Sequence, residues 1–439
     1  MTPARRSIAA LAAVPVLLAA AACGGPAAPA GEPLVSPPPA AGSVDGPSGA
    51  VWTSGLNADG QLGRTGAAAD PRLGPVTGAG GRGRLDRAVA VAGGGRHSLA
   101  VLDGGEVVAW GANDDGQLGD GTTRDSGVPV PVRAPDGRPG RLDDAVAVSA
   151  NNDFSMALRK DGTVVTWGES SSGQRGTGER GAPLVPTTVR APDGRGPLTG
   201  VTAIAADGHT ELALLGDGRV LAWGANAYGM VGDGTREDRA LPVPVRGLDG
   251  AARLDGVVRI AIGGQHGLAL LRDGRVASWG HNELGQLGDG SRRDRLTPAL
   301  VSGVGGKGVL DGVAAVAAAE KHNYALRKDG TVVAWGNNTA GQLGDGTVRP
   351  STVPVTVVGR GGPKLRRATR VFAGEAYGAA ILADGTLLTW GAGGSGQLGS
   401  GKRTPRSRPG TVMTAEGTPP PDALSVGVGE RHLILLTKP

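Results

Sequence analysis

The chain has one cysteine, Cys23, so no disulfide can form within it, whatever the compartment. Aromatic residues are few. Phe, Tyr and Trp together number 12 in 439 residues, which argues against an aromatic-rich binding face. A basic excess is also missing: 45 Lys and Arg, only seven of them Lys, stand against 40 Asp and Glu, and nucleic acid is not an expected partner. No Gly-x-Ser-x-Gly elbow is present to support a nucleophilic serine. The Gly-rich loops lack the Lys-Ser/Thr that a phosphate cradle requires. No carboxylate or cysteine accompanies a histidine at metal-ligand spacing. No catalytic residue, metal or cofactor is therefore predicted, and a non-catalytic, monomeric protein is expected.

What the chain has in abundance is glycine, 80 residues, much of it at fixed places in a repeat. Trp-Gly pairs recur at Trp110, Trp167, Trp223, Trp279, Trp335 and Trp390, spaced 57, 56, 56, 56 and 55 residues apart. A Gly-x-x-Gly block follows each at constant distance, from Gly116–Gly119 to Gly396–Gly399, and Gly60-Gln61-Leu62-Gly63 opens the series. A fixed period of this length built from short apolar runs signals a radial or stacked repeat. In the second unit, Ala145–Ala150 and Phe154–Leu158 read as strands, Asp161-Gly162 as a hairpin turn with both residues at positive φ, and Val164–Trp167 as the return strand. The same Asp-Gly is read at Asp103, Asp217, Asp273, Asp329 and Asp384. Pro183–Val189 is a fourth strand, confined by its prolines to an edge. Four strands per unit make the blade of a β-propeller.

The termini close the ring. The last unit, Leu424 to Pro439, has two strands and no third; the first, from Ala50, has the later strands only. Joined, they make one blade, giving an all-β, seven-bladed propeller over 50–439. In the first unit Ser54 occupies the Trp position, and Trp52, two residues earlier on the same side of the strand, is expected to fill nearly the same inter-blade space.

Trp-Gly-x-Asn-x-x-Gly-Gln-Leu-Gly-Asp-Gly-Thr, nearly intact at 110–122, 279–291 and 335–347, resembles the repeat of the regulator of chromosome condensation family. Degenerate copies carry Gln174-Arg175 or Met230-Val231 at the Gln-Leu pair, and Ser400 at the Asp. The resemblance implies a seven-bladed propeller. It also implies guanine-nucleotide exchange on a small GTPase, although the unit lengths leave no room for a wedge insertion. Secreted bacterial propellers of this superfamily that block β-lactamases offer a further alternative.

The N-terminus reads as an address. Arg5 and Arg6 precede the uncharged run Ser7–Ala22, so 1–22 is a signal peptide. Cys23 after Ala20-Ala21-Ala22 resembles a bacterial lipoprotein signal, with Ala20 where Leu is usual, and would be the lipid-attachment residue. Seven prolines in 24–49 make 23–49 an extended tether. The expected location is the outer face of the cytoplasmic membrane, held through lipid alone, or secreted. The expected partner is a protein or envelope ligand.

Two sets of residues are candidates for its site. His97, His266, His322 and His432 share one repeat position, and Phe154, Thr210 and Tyr377 fill it in the other units. The histidines could ring a channel mouth, or pack between blades as scaffold. Tyr228, Phe154 and Tyr377 break the repeat pattern and are candidate partner anchors. The six repeat tryptophans are assigned to blade packing.

Overall fold

The computed structural model describes residues 47–359 and 361–439. The signal peptide, Cys23 and nearly all of the tether lie outside the described residues. Seven four-stranded antiparallel sheets succeed one another along the chain. Blade one comprises Ala88–Gly93, His97–Leu102, Val107–Gly111 and Ser126–Pro131, from the channel outward. Blades two to six repeat this pattern, starting at Ala145, Val201, Val257, Val313 and Ala368. Blade seven is composite: Ala423–Val428 and His432–Thr437 come from the C-terminus, Ala50–Leu56 and Ala69–Pro75 from the N-terminus. The junction pairs Gly55 with His432, the register of Gly111 with His97 in blade one. Inner strands touch those of both neighbouring blades all the way round, so the ring is closed.

The two central strands of each blade are sandwiched between blades and buried on both faces, which is why runs such as Val-Val-Ala-Trp-Gly show no polar alternation. The outermost strand meets solvent and carries prolines such as Pro129, Pro242 and Pro298. Two expectations need correction. Of Pro183–Val189 only Thr187–Thr188 pairs as a strand, since Pro183, at the position where Ser126 pairs with Gly111 in blade one, has no N–H to give the ladder. The Asp-Gly hairpins are three-residue loops in which only the glycine has positive φ, as at Gly162 (+76°). The aspartate instead accepts from the chain beyond: Asp161 Oδ1 takes the Thr163 N–H at 2.9 Å. In blade one the left-handed residue is Gly105, so Asp103-Gly104 stands one residue out of step.

A hydrogen-bond relay joins consecutive blades. Trp167 Nε1 donates to the Gln117 carbonyl of blade one at 2.9 Å, and Trp110, Trp223, Trp279, Trp335 and Trp390 do the same to Gln61, Gln174, Met230, Gln286 and Gln342. The glycine two residues beyond each acceptor makes room: a Cβ at Gly119 (φ +65°) would lie 2.8 Å from Trp167 Nε1. Trp52 packs against Leu398, Val412 and Tyr377 of blade six, filling the inter-blade space as expected.

Candidate binding face at the mouth of the channel

The chain direction gives the ring two unlike faces. One carries the turns between first and second strands together with the Gly-rich loops, and the other carries the Asp-Gly turns and the crossovers. The four repeat histidines begin the second strands just below the first face, yet they do not line the channel. Each is fully buried in a seam and aimed at the next blade. Ser155 Oγ donates to the Gln117 carbonyl and sits 2.8 Å from His97 Nε2. Ser98 Oγ likewise donates to the Gln61 carbonyl and sits 3.0 Å from His432 Nε2. Asn323 Nδ2 donates to the Gln286 carbonyl while its Oδ1 accepts from His266 Nε2 at 2.6 Å. Asn323 offers an oxygen here, so His266 carries its proton on Nε2. His322 finds no side-chain partner, Gly378 standing at the Ser155 position of the next blade; Tyr324 fills the space over Gly378 and donates to the Gln342 carbonyl of its own blade.

Burial, the leading cause, lowers His97 and His322 to about 3 and His266 and His432 to about 4, so all four are neutral near pH 7. The channel-mouth ring is thus corrected to a seam relay, because the repeat position faces a blade and not the bore. Among the described residues no group of three His, Cys, Asp or Glu could hold a metal ion. Phe154 and Tyr377 share the histidine position and are likewise fully buried, Tyr377 donating to the His432 carbonyl at 2.7 Å. They are not available as partner anchors. Tyr228 is different: it is 36% exposed on the Gly-rich loop of blade three, its ring 4.3 Å from that of His281.

The mouth itself is acidic. The inner strands enclose a cavity of about 670 Å³ whose rim on this face carries Asp153, Asp207, Glu320, Glu375 and Glu430 against Arg96. Arg96 is already engaged, 3.1 Å from Asp114 and 3.6 Å from Asp59 and Asp153. Glu320, Glu375 and Glu430 occupy one turn position in three consecutive blades, two residues before His322, Tyr377 and His432. Burial first, and then the charge of Glu320, push Asp207 up to about 8. Burial and then Glu430 raise Glu375. On the same face Glu169 lies 3.2 Å from His209 Nδ1. The His209 hydrogen bond holds Glu169 at about 2, and the carboxylate in turn raises the imidazole. Residue-type scanning misses this rim because each acid is isolated in sequence. The signal was the 55-residue spacing of Glu320, Glu375 and Glu430. Such carboxylates suit pairing with Lys and Arg of a ligand, and no nucleophile–base pair accompanies them among the described residues.

The family model for the RCC1-like domain matches residues 44–364, and that for the regulator of chromosome condensation (RCC1) repeat matches 384–436. The ultraviolet-B receptor UVR8 of Arabidopsis thaliana is 29% identical over 358 residues, covering 80% of this chain and 75% of the receptor. The E3 ubiquitin-protein ligase HERC2 of Homo sapiens is 33% identical over 284 residues, which is 64% of this chain but 6% of the ligase. Prp20p from Saccharomyces cerevisiae superposes with a TM-score of 0.73 at 22% identity, covering 91% of this chain and 93% of that one. Human WBSCR16 gives 0.71 at 24%, covering 89% and 99%. Period, closure, blade number and family model agree: the chain belongs to the RCC1-like propeller family.

Proposed function

We propose that the protein is a non-catalytic interaction propeller of the cell envelope, held by lipid at Cys23, which receives a basic segment of a protein partner at its acidic channel mouth. The observation that carries the proposal is the arc of Glu320, Glu375 and Glu430 on three adjacent blades, with Asp207 also on the rim. Glu430 is paired with Arg431 at 3.1 Å and burial holds Asp207 largely protonated near pH 7, so the unmatched charge rests on Glu320 and Glu375, since the one arginine lining that rim, Arg96, is already engaged. Exposed complementary charges contribute about 0.2–1 kcal/mol each and act mainly on association rate and salt dependence. The Tyr228–His281 pair on the same face offers an apolar contact outside the rim.

The test immobilises the purified protein beside a variant with all three glutamates changed to Gln, and passes envelope extract over both. A partner retained by the former is expected to bind the latter about tenfold more weakly and to be released as salt rises from 50 to 300 mM. Equal retention by both would reject the rim as the binding face. Metabolic labelling with a radioactive fatty acid addresses the anchor separately. The label should enter the protein and be lost in Cys23→Ala.

A further inference from the structure

The opposite end of the channel has an inverse character. At the third position of the inner strands, four blades carry Ala90, Ala147, Ala203 and Ala315, blade seven carries Ser425, and blades four and six carry Arg259 and Arg370. Both arginines line the cavity and are half-buried. Among the described residues neither has a carboxylate partner. Burial alone lowers Arg370, and burial followed by the charge of Arg370 lowers Arg259, with no acid raising either. Two half-buried cations that face one cavity and feel each other's charge, with no carboxylate partner among the described residues, form a site that an anion would satisfy.

The blade between them contributes only Ala315 at this level, and Ser425 offers a hydroxyl beside Arg370. The glutamates of the far rim do not neutralise the pair. Glu375 is five residues along the strand from Arg370, or ~16 Å at a strand's rise. That is about twice the ~8 Å screening length at physiological salt.

We propose that the channel binds an oxyanion of the phosphate class between Arg259 and Arg370, admitted from the face of the Asp-Gly turns. Guanidinium groups present planar forks of donors that match phosphate oxygens, which favours this class over a spherical anion such as chloride. The acidic mouth repels the same anion, so entry is one-sided. The cavity of about 670 Å³ exceeds the size of orthophosphate and leaves room for a phosphorylated end of a larger molecule.

The test follows thermal unfolding of the protein in a phosphate-free buffer with orthophosphate added to 10 mM, against sodium chloride of matched ionic strength. Wild type should gain several degrees with phosphate and not with chloride, since a ligand of the native state stabilises it by mass action. Arg259→Ala and Arg370→Ala install the residue four other blades already carry, so both should fold. Each should weaken phosphate at least tenfold in titration calorimetry. Arg259→Lys, retaining charge without the fork, should fall between. A phosphate shift matched by chloride, or one that survives in the double Ala variant, would overturn the proposal. Repeating the titration with a glycerophosphodiester assigns the source. Binding as tight as orthophosphate points to a phosphodiester polymer, and binding confined to orthophosphate points to the free ion.

Discussion

The seam between blades one and two and the seam between blades six and seven do the same job with different parts. In the first, Trp167 and Ser155 both donate to the Gln117 carbonyl, and Ser155 in turn meets His97. In the second, Ser54 stands where the tryptophan would be and Leu433 where the serine would be, so the Gln397 carbonyl has neither donor. Ser54 Oγ and Trp52 Nε1 are buried without partners among the described residues. Apolar filling is retained through Trp52, Leu433 and Leu435, while Tyr377 reaches across to the His432 carbonyl. The comparison separates what a seam requires from what it can lose. Volume is required, and the relay is dispensable where backbone pairing of the two chain ends holds the blade together.

The largest effect should come from emptying each seam in turn. Trp167 is fully buried and hydrogen-bonded, and Trp167→Ala should cost ~4 kcal/mol in denaturant unfolding, from cavity and orphaned carbonyl together. Trp52 is 9% exposed and makes no hydrogen bond, so Trp52→Ala should cost about half as much. Equal losses would mean that the relay adds nothing beyond the volume of the indole.

Acid should break the first kind of seam before the second. In the unfolded chain the four seam histidines take up protons below their ordinary value near 6.5, and in the folded chain not until about 3 to 4. Their contribution to stability is therefore present above 6.5 and lost as pH falls. Glu211 and Asp207 act in the opposite sense. Burial raises both, so the folded state holds protons that the unfolded chain releases above about 4, and stability falls as pH rises toward the value of about 8 for Asp207. Four histidines against these two acids and the likewise raised Glu375 leave a net uptake of one to two protons on unfolding between about pH 4.5 and 6.5, or ~1.4–2.7 kcal/mol per pH unit. The melting temperature should thus peak near pH 6.5 and fall on both sides. With solvent-facing histidines the raised acids alone would set the slope, so a melting temperature that holds or rises from pH 6.5 down to 4.5 would contradict the seam assignment.

The blade number and the composite blade were legible because both follow from period and strand type, which the chain spells out locally. The Trp position, its substitution by Ser54, and the equivalence of His97 with Phe154 and Tyr377 were equally visible. What a repeat position faces was not. His97 points at Ser155, 58 residues away, and that pairing depends on how one blade leans on the next. The substitution pattern held a clue, since Phe and Tyr exchanging with His at a fixed position describes a packed space better than a rim. The acidic mouth and the arginine pair went unread for another reason. Deviations from the repeat stand out at aromatic residues and in loops, while Arg259 replaces Ala inside a strand, and Glu320, Glu375 and Glu430 deviate together.

Glu211 offers the finest test of the relay, because it sits at the Ser98 and Ser155 position of blade three. It is fully buried, both carboxylate oxygens are without partners among the described residues, and the Gln174 carbonyl receives only the Trp223 indole. A protonated Glu211 can serve as a donor in this seam and an ionised one cannot, which agrees with the upward shift caused by burial. Glu211→Gln keeps the shape, supplies a permanent donor and removes the titration. It should stabilise the protein by ~1–2 kcal/mol at pH 8. It should change little at pH 4.5, where the acid already carries its proton in the fold and about half the time in the unfolded chain. A gain of the same size at both pH values would show that packing around residue 211, and not its charge, distinguishes this seam from that of Ser155.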